Sequence, residues 1–179
     1  MTLTRMIPSL RRTLPDPLRT DFWPEATVTT VHDVMIAGVS LSHLADVCGT
    51  PCVHTGAAVI PGTAGRPSPT SVTSVLVTAI TGIATHPSGA LVITADAALD
   101  EHRVVWSELR LIRRVSTAHS GTVLIAGRSE NPAVADLPLD LVIGDLLAAP
   151  TRPAAATMNG RRASRADEHS VPAWLAQLP

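Results

Sequence analysis

This sequence has no lysine, no tyrosine and a single phenylalanine, so all fourteen of its basic residues are arginine. Without a lysine ε-amine, the chain cannot form an internal Schiff base with pyridoxal phosphate or with a carbonyl substrate. The net charge of −1 gives no basic excess for phosphate backbones, and the few aromatic rings leave little surface for stacking bases. We therefore expect neither lysine-based covalent catalysis nor nucleic-acid binding.

Long apolar runs are also missing. The sequence has no stretch of about 18 consecutive apolar residues, the length that a membrane-spanning helix needs. Residues 1–20 contain four arginines and an apolar pattern interrupted by proline, which does not match a secretory signal peptide. We therefore expect a cytoplasmic protein with no membrane partner. A length of 179 residues with 45% hydrophobic content indicates one domain with flanking tails.

Cysteine is scarce, with only Cys48 and Cys52 in the chain. The histidines nearest to them are His43 and His54, so a Cys2His2 metal site is conceivable. Its spacing does not match a known zinc finger. The favoured interpretation is two reduced, buried cysteines that behave as small hydrophobic residues, with no metal site.

Residues 70–150 are rich in β-branched and aliphatic residues divided by turn residues, which predicts a series of strands. The predicted strands are Ser71–Ala84, Gly89–Ala97, Val104–Val115, Thr122–Gly127 and Leu139–Ala149. Together they indicate a mainly β fold, a small Greek-key-like β-barrel.

The flanking segments complete the predicted organisation. Residues 1–22 are predicted to form a flexible arm or disordered tail, and residues 23–150 the barrel domain. One short helix is expected at Leu41–Cys48, with Ser40 as its N-cap. Residues 151–179 are rich in Ala, Arg, Pro and Ser, which predicts a flexible tail whose apolar end could cover the barrel as a lid.

Five segments resemble, in their order and spacing, the pyridoxal-phosphate-dependent diaminopimelate and ornithine decarboxylases of fold type III. In chain order, the segments are Val39–His54 with GTPCVH, Pro61–Arg66 with PG and GR, Thr94–Trp106 with TADAAL and RVVW, Ser129–Pro138 with SEN and DLP, and Ile143–Leu147 with IGDLL. The resemblance covers the N-terminal segment and the C-terminal β-barrel domain of that family. It implies a barrel fold and a homodimer, because in the family this domain faces the active site largely across a dimer interface.

The departures from the family are as informative as the matches. Only six residues separate His54 from Pro61, where the family carries a TIM barrel with the cofactor lysine and the phosphate-binding glycines. Ser129 stands where the family has a substrate-facing cysteine, and Trp106 where it has a tyrosine. The resemblance thus implies a barrel domain without the catalytic half and without a cofactor. The surface that the TIM barrel would cover must be covered by a partner subunit, the arm, the tail or a ligand.

Residues 104–114 contain the first group of candidate site residues. Read as one strand, this segment places Trp106, Glu108 and Arg110 on a single face. One interpretation is a substrate wall, with Trp106 stacking on the substrate and Glu108 or Arg110 holding a polar group. The other is a solvated or dimer-facing strand, since alternating charges on a strand face are common.

The second group comes from loops. His102 could act as a general acid or base, or could be an ordinary loop histidine. The resemblance implies that the loop containing His102 lies near the substrate, and that Ser129 and Glu130 lie near the active site of the partner subunit. The predicted catalytic residues are therefore Glu108, His102 and Glu130. The predicted substrate-binding residues are Trp106, Arg103, Arg110 and Ser129.

These residues suggest two kinds of function. The first is a cofactor-independent enzyme, a cyclase or isomerase of bacterial secondary metabolism that acts on a small, largely apolar molecule. Such chemistry can be achieved by orientation and a few polar groups, so it needs neither lysine nor metal. The alternative is a non-catalytic binding module or partner subunit.

Overall fold

The fold was determined as a computed structural model that describes residues 2–99, 103–126 and 132–152. It is mainly β, with a nearly closed barrel and two α-helices in the described residues, which confirms the predicted fold class. The helices are α1 (Leu3–Met6) and α2 (Leu41–Cys48). The strands are β1 (Thr27–Thr29), β2 (Val34–Ile36), β3 (Val39–Ser40), β4 (Cys52–Val59), β5 (Pro67–Thr85), β6 (Leu91–Ala95), β7 (Arg110–Ile112), β8 (Ser120–Ile125), β9 (Ala133–Pro138) and β10 (Leu146–Thr151).

The barrel is a seven-stranded sheet with the order β7-β10-β5-β6-β8-β9, and β4 also pairs with β5. The pairings are antiparallel except that of β6 with β8, which is parallel. The central strand β5 has β10 on one edge, where the Ile80 amide donates to the Asp145 carbonyl at 2.9 Å. On its other edge the Ala79 carbonyl accepts from the Asp96 amide at 3.1 Å. This edge pairs with β4 along the earlier part of β5 and with β6 along the later part.

Strand β10 and the middle of β5, residues 73–80, are largely buried on both faces. Leu76 and Leu147 point into the barrel core, whereas their neighbours Val75 and Leu146 belong to a second core on the outside of the sheet. The outer core also contains Trp23, which is completely buried. Burial on both faces explains why these strands read as continuous apolar runs instead of alternating patterns.

Helix α2 has the predicted bounds. Its N-cap is Ser40, whose hydroxyl accepts from the His43 amide at 3.0 Å. Leu41 and Ala45, four residues apart, are buried on the face that contacts the outer core. Local sequence signals were sufficient to predict this helix because the N-cap residue and the apolar spacing indicate the same helix.

Both cysteines are free thiols, but the prediction that both are buried was wrong. Cys48, at the end of α2, is exposed, and Cys52 is half-buried. Burial raises the pKa of the Cys52 thiol, and the nearby Cys48 and Asp96 raise it further. Within the described residues, no three His, Cys, Asp or Glu side chains are arranged to hold a metal ion.

The predicted strand Val104–Val115 is wrong in its first half. Trp106–Glu108 forms a turn of 3₁₀ helix, and only Arg110–Ile112 is a strand. Arg103 and Arg113 have positive φ values of 51° and 75°. These conformations interrupt an extended backbone just before and near the end of the predicted strand. Trp106, Glu108 and Arg110 therefore do not alternate along one strand face.

Two other strand predictions also changed. The predicted strand Leu139–Ala149 begins only at Leu146, because residues 139–145 form a turn in which Gly144 has a φ of 93°. Strand β9 was not predicted, since the charge of Asp136 interrupts its short apolar pattern. Residues 151–152 still belong to the described fold, and the rest of the predicted tail, with its lid, lies outside the described residues.

The N-terminal arm, residues 2–22, is folded against the barrel. It contains α1 and two turns of 3₁₀ helix, Pro8–Arg12 and Thr20–Phe22. Thr4, Pro8 and Arg11 are buried, so the flexible arm that composition indicated is an ordered covering layer. The described part of the chain contains no helix long and apolar enough to cross a membrane.

Candidate functional site

A cavity of about 550 Å³ lies between the N-terminal arm and the barrel, and is called here the arm cavity. It is lined by residues of four segments: the arm (2–19), the β1–β2 loop and its flanks (29–34), the 107–120 segment and the end of β9 (136–138). Its size is within the range of small-molecule sites. The cavity exists because the arm folds over the barrel, so chain segments that are far apart in sequence form its walls.

Arg11 fixes the arm to the barrel. Its side chain is buried, with 6% of the residue exposed. The guanidinium donates to the Ala118 carbonyl at 3.0 Å and to the Ser120 hydroxyl at 2.7 Å. Its Nε lies 3.4 Å from Asp16 Oδ2 but forms no hydrogen bond. One buried cation therefore links the arm to the start of β8 and leaves one donor unused.

Glu108 forms the second link between the arm and the barrel. It is 4% exposed, and its Oε2 atom accepts three hydrogen bonds. The donors are the Trp23 indole Nε1 at 2.9 Å, the Arg19 amide at 3.2 Å and the Arg110 guanidinium at 3.2 Å. The carboxylate thus compensates the charge of Arg110 and satisfies the buried indole N–H.

Arg110 extends this link towards the arm. Its guanidinium donates to the Asp16 carbonyl at 3.2 Å and to the Pro17 carbonyl at 3.3 Å. It also lies over the Trp23 ring, 5.2 Å from the ring centre. Burial lowers the pKa of Arg110, and the charges of Glu108 and Asp16 oppose that shift.

Three residues that line the arm cavity each have a buried polar atom without a hydrogen-bond partner. Among the described residues, the buried side-chain nitrogen and oxygen atoms that lack a partner are Arg11 Nε, Asp16 Oδ1 and Arg110 Nε. All three residues line the arm cavity. A buried polar group left unsatisfied costs about 1–3 kcal/mol, so such groups are normally paired with a ligand or with water. Arg11, Asp16 and Arg110 are therefore the described lining residues with a buried polar atom that the protein itself leaves without a partner.

A second depression adjoins the arm cavity and is called the Trp106 groove. Its volume is about 380 Å³, and its walls include Trp106 and residues of β8 and β9. Ser107, Ser120 and Asp136 line both the groove and the arm cavity, so the two spaces are neighbours.

The structure brings together some of the predicted site residues. Glu108 and Arg110 line the arm cavity, and Trp106 lines the groove beside it. Arg103 lines neither space, and its carbonyl accepts from the Arg152 amide at 3.0 Å. Three predicted residues lie outside the described part of the chain: His102, Ser129 and Glu130.

Sequence reasoning missed the residues that the arm contributes, Arg11 and Asp16. A usable signal was present, because Asp16 stands between Pro15 and Pro17. Two prolines restrict the backbone on both sides of a residue, which indicates a fixed conformation instead of a disordered tail.

No protein-family model and no curated protein sequence matches this chain. Among solved structures, it is similar to arginine decarboxylase of Paramecium bursaria Chlorella virus, in the structure bound to agmatine and in a second structure of the same enzyme. Each match has 18% sequence identity and a TM-score of 0.31, and covers 44% of this chain. The chain spans 24% of the length of the enzyme chain. The similarity loosely fits the decarboxylase resemblance of the sequence motifs and supports no conclusion about the site.

Pyridoxal phosphate, the cofactor of the decarboxylases that the motifs resemble, does not fit this chain as a covalently held group. The sequence has no lysine to form the internal Schiff base.

Proposed function

We propose that this chain is a small-molecule-binding β-barrel domain whose arm cavity binds a compact organic acid. The observation that carries the proposal is that Arg11, Asp16 and Arg110, each with a buried polar atom that lacks a hydrogen-bond partner, line one cavity. An acid group accepts hydrogen bonds from both guanidinium donors, and a hydroxyl or N–H group of the ligand donates to Asp16.

The charge of the cavity walls supports an acidic ligand. The lining contains five arginines and four acidic residues, a net positive balance. Four of these arginines are ion-paired with protein carboxylates: Arg5 with Asp136, Arg11 with Asp16, Arg110 with Glu108 and Arg114 with Asp145. Arg11 and Arg110 differ from the other two in keeping a buried Nε donor without a hydrogen bond, so the ligand's acid group is assigned beside them.

This proposal corresponds to the non-catalytic alternative that the sequence left open. The cyclase or isomerase activity stays a prediction, and so does the homodimer. The charged lining favours a polar ligand over the largely apolar molecule expected from the sequence. Glu108 was predicted to be catalytic, but its Oε2 atom already accepts three hydrogen bonds that hold the arm.

The proposal is tested by titrating the protein with lactate, which carries both a carboxylate and a hydroxyl group, and measuring binding by ligand-observed NMR. The informative variant is Arg11→Lys, which keeps the positive charge and removes the Nε donor. Arg66→Lys is the matched control, since Arg66 is exposed and remote from the cavity lining.

Loss of a hydrogen bond to a charged group should weaken lactate binding by about tenfold or more in Arg11→Lys. Arg66→Lys should bind as the unmodified protein does. Thermal unfolding of both variants establishes that they are folded. The proposal is wrong if lactate does not bind at all, or if it binds equally well to a folded Arg11→Lys variant.

A further inference from the structure

The Trp106 groove shares Ser107, Ser120 and Asp136 with the arm cavity and has an aromatic side chain on its wall. Trp106 is half-buried and packs one side against the barrel core. Val134 also lines the groove, and Gly121 contributes only backbone atoms to the lining. The groove therefore has an indole ring and an aliphatic side chain on its walls in addition to the polar residues that it shares with the arm cavity.

The boundary between the two spaces is the point where Arg11 is held. The Ser120 hydroxyl accepts from Arg11 at 2.7 Å, and Ser120 lines both the cavity and the groove. Ser120 therefore brings the guanidinium of Arg11 next to the wall that the arm cavity and the Trp106 groove have in common.

We infer that the arm cavity and the Trp106 groove form one two-part site for a planar organic acid, an aromatic or heteroaromatic carboxylate. The inference rests on the proposed function, because it assigns the acid group to the arm cavity. It adds that the ring of the ligand lies in the groove against Trp106. Aromatic pairs gain about 0.5–1.5 kcal/mol beyond burial alone.

The inference predicts selectivity between molecules that differ only in planarity. Benzoate and cyclohexanecarboxylate both have a six-membered ring and one carboxylate, but only benzoate can stack on an indole. Benzoate should bind about twofold to tenfold more tightly than cyclohexanecarboxylate. Acetate, which has no ring, should bind more weakly than both.

Two variants connect the selectivity to Trp106. Trp106→Leu retains an apolar side chain without a flat ring, so it should remove the preference for benzoate and leave acetate binding unchanged. Trp106→Phe restores an aromatic ring and should restore most of the preference. The comparison of ligands on the unmodified protein needs no variant, so the inference is testable even if Trp106→Leu unfolds.

The outcomes separate the two proposals. Equal binding of benzoate and cyclohexanecarboxylate to the unmodified protein overturns the two-part site. The same conclusion follows if the preference persists in a folded Trp106→Leu variant. If the carboxylates bind and depend on Arg11 but not on Trp106, the proposed function stands and only the ring subsite is wrong. If no carboxylate binds, or if none depends on Arg11, both proposals are wrong.

Discussion

Replacing Glu108 with glutamine is a direct test of how the arm is held on the barrel. The Glu108 carboxylate is almost completely buried and accepts hydrogen bonds from Trp23, Arg19 and Arg110 at 2.9–3.2 Å. Glutamine has nearly the same shape and keeps one acceptor oxygen. It removes the negative charge that compensates the buried Arg110 guanidinium.

The expected cost follows from these contacts. Breaking a buried ion pair by removing one partner costs about 3–5 kcal/mol, and the retained acceptor of glutamine reduces that loss. We expect Glu108→Gln to lower the free energy of unfolding by about 2–3 kcal/mol, since hydrogen bonds to charged groups contribute about 1.5–3 kcal/mol. For a chain of this length, the expected decrease in melting temperature is about 5–10 °C.

Urea unfolding followed by tryptophan fluorescence measures this loss, because Trp23 is completely buried in the folded protein. Glu25→Gln is the matched control. Glu25 is exposed, so the same chemical change there should alter the free energy of unfolding by less than about 0.5 kcal/mol.

A double variant tests whether the buried charge is the cause. With Arg110→Met added to Glu108→Gln, no unpaired cation is left beside the indole. The combined loss should therefore be smaller than the sum of the two single losses. Strictly additive losses, or a Glu108→Gln variant as stable as the Glu25→Gln control, would refute the assignment of Glu108 as the link between arm and barrel.

Three further predictions concern other parts of the fold. Ser40→Ala removes the cap of α2 at the His43 amide, and thermal unfolding should show a loss of about 1–2 kcal/mol. Gly56→Ala places a Cβ atom 2.9 Å from a proline side chain, so overpacking should cost about 1–3 kcal/mol in the same assay. Iodoacetamide should modify the exposed Cys48 before Cys52, and peptide mapping should show Cys52 modification accelerating as pH rises. The reason is that burial raises the pKa of Cys52, so its reactive thiolate forms at higher pH than an exposed thiol would require.

Local patterns predicted the elements whose structure depends on nearby residues. Helix α2 was predicted with its observed bounds because Ser40, Leu41 and Ala45 supply a cap and an apolar face within two turns. Strands β5, β6 and β8 were predicted close to their observed positions, since runs of β-branched residues between turns are a local signal. The mainly β barrel class followed from the number and spacing of such runs.

Prediction failed where a distant contact decides the backbone. Residues Trp106–Glu108 read as a strand, but the Glu108 carboxylate turns towards Trp23 and the Arg19 amide, more than 80 residues earlier in the chain. Satisfying these buried donors outweighs the strand preference of a short segment. Composition alone likewise could not show that the arm is ordered, because the acceptors of Arg11, the Ala118 carbonyl and the Ser120 hydroxyl, lie more than 100 residues later in the chain.

Composition and short-range periodicity were enough to predict the β class, the helix at residues 41–48 and the exclusion of lysine chemistry. The place where a ligand could bind depends on long-range packing. The arm cavity needs Arg11 and Asp16 from the arm together with Arg110 from the barrel, about a hundred residues apart along the chain. No local sequence pattern predicts that these residues line the same cavity. Their proximity depends on how the arm packs across the sheet and on which buried donors remain without a partner there.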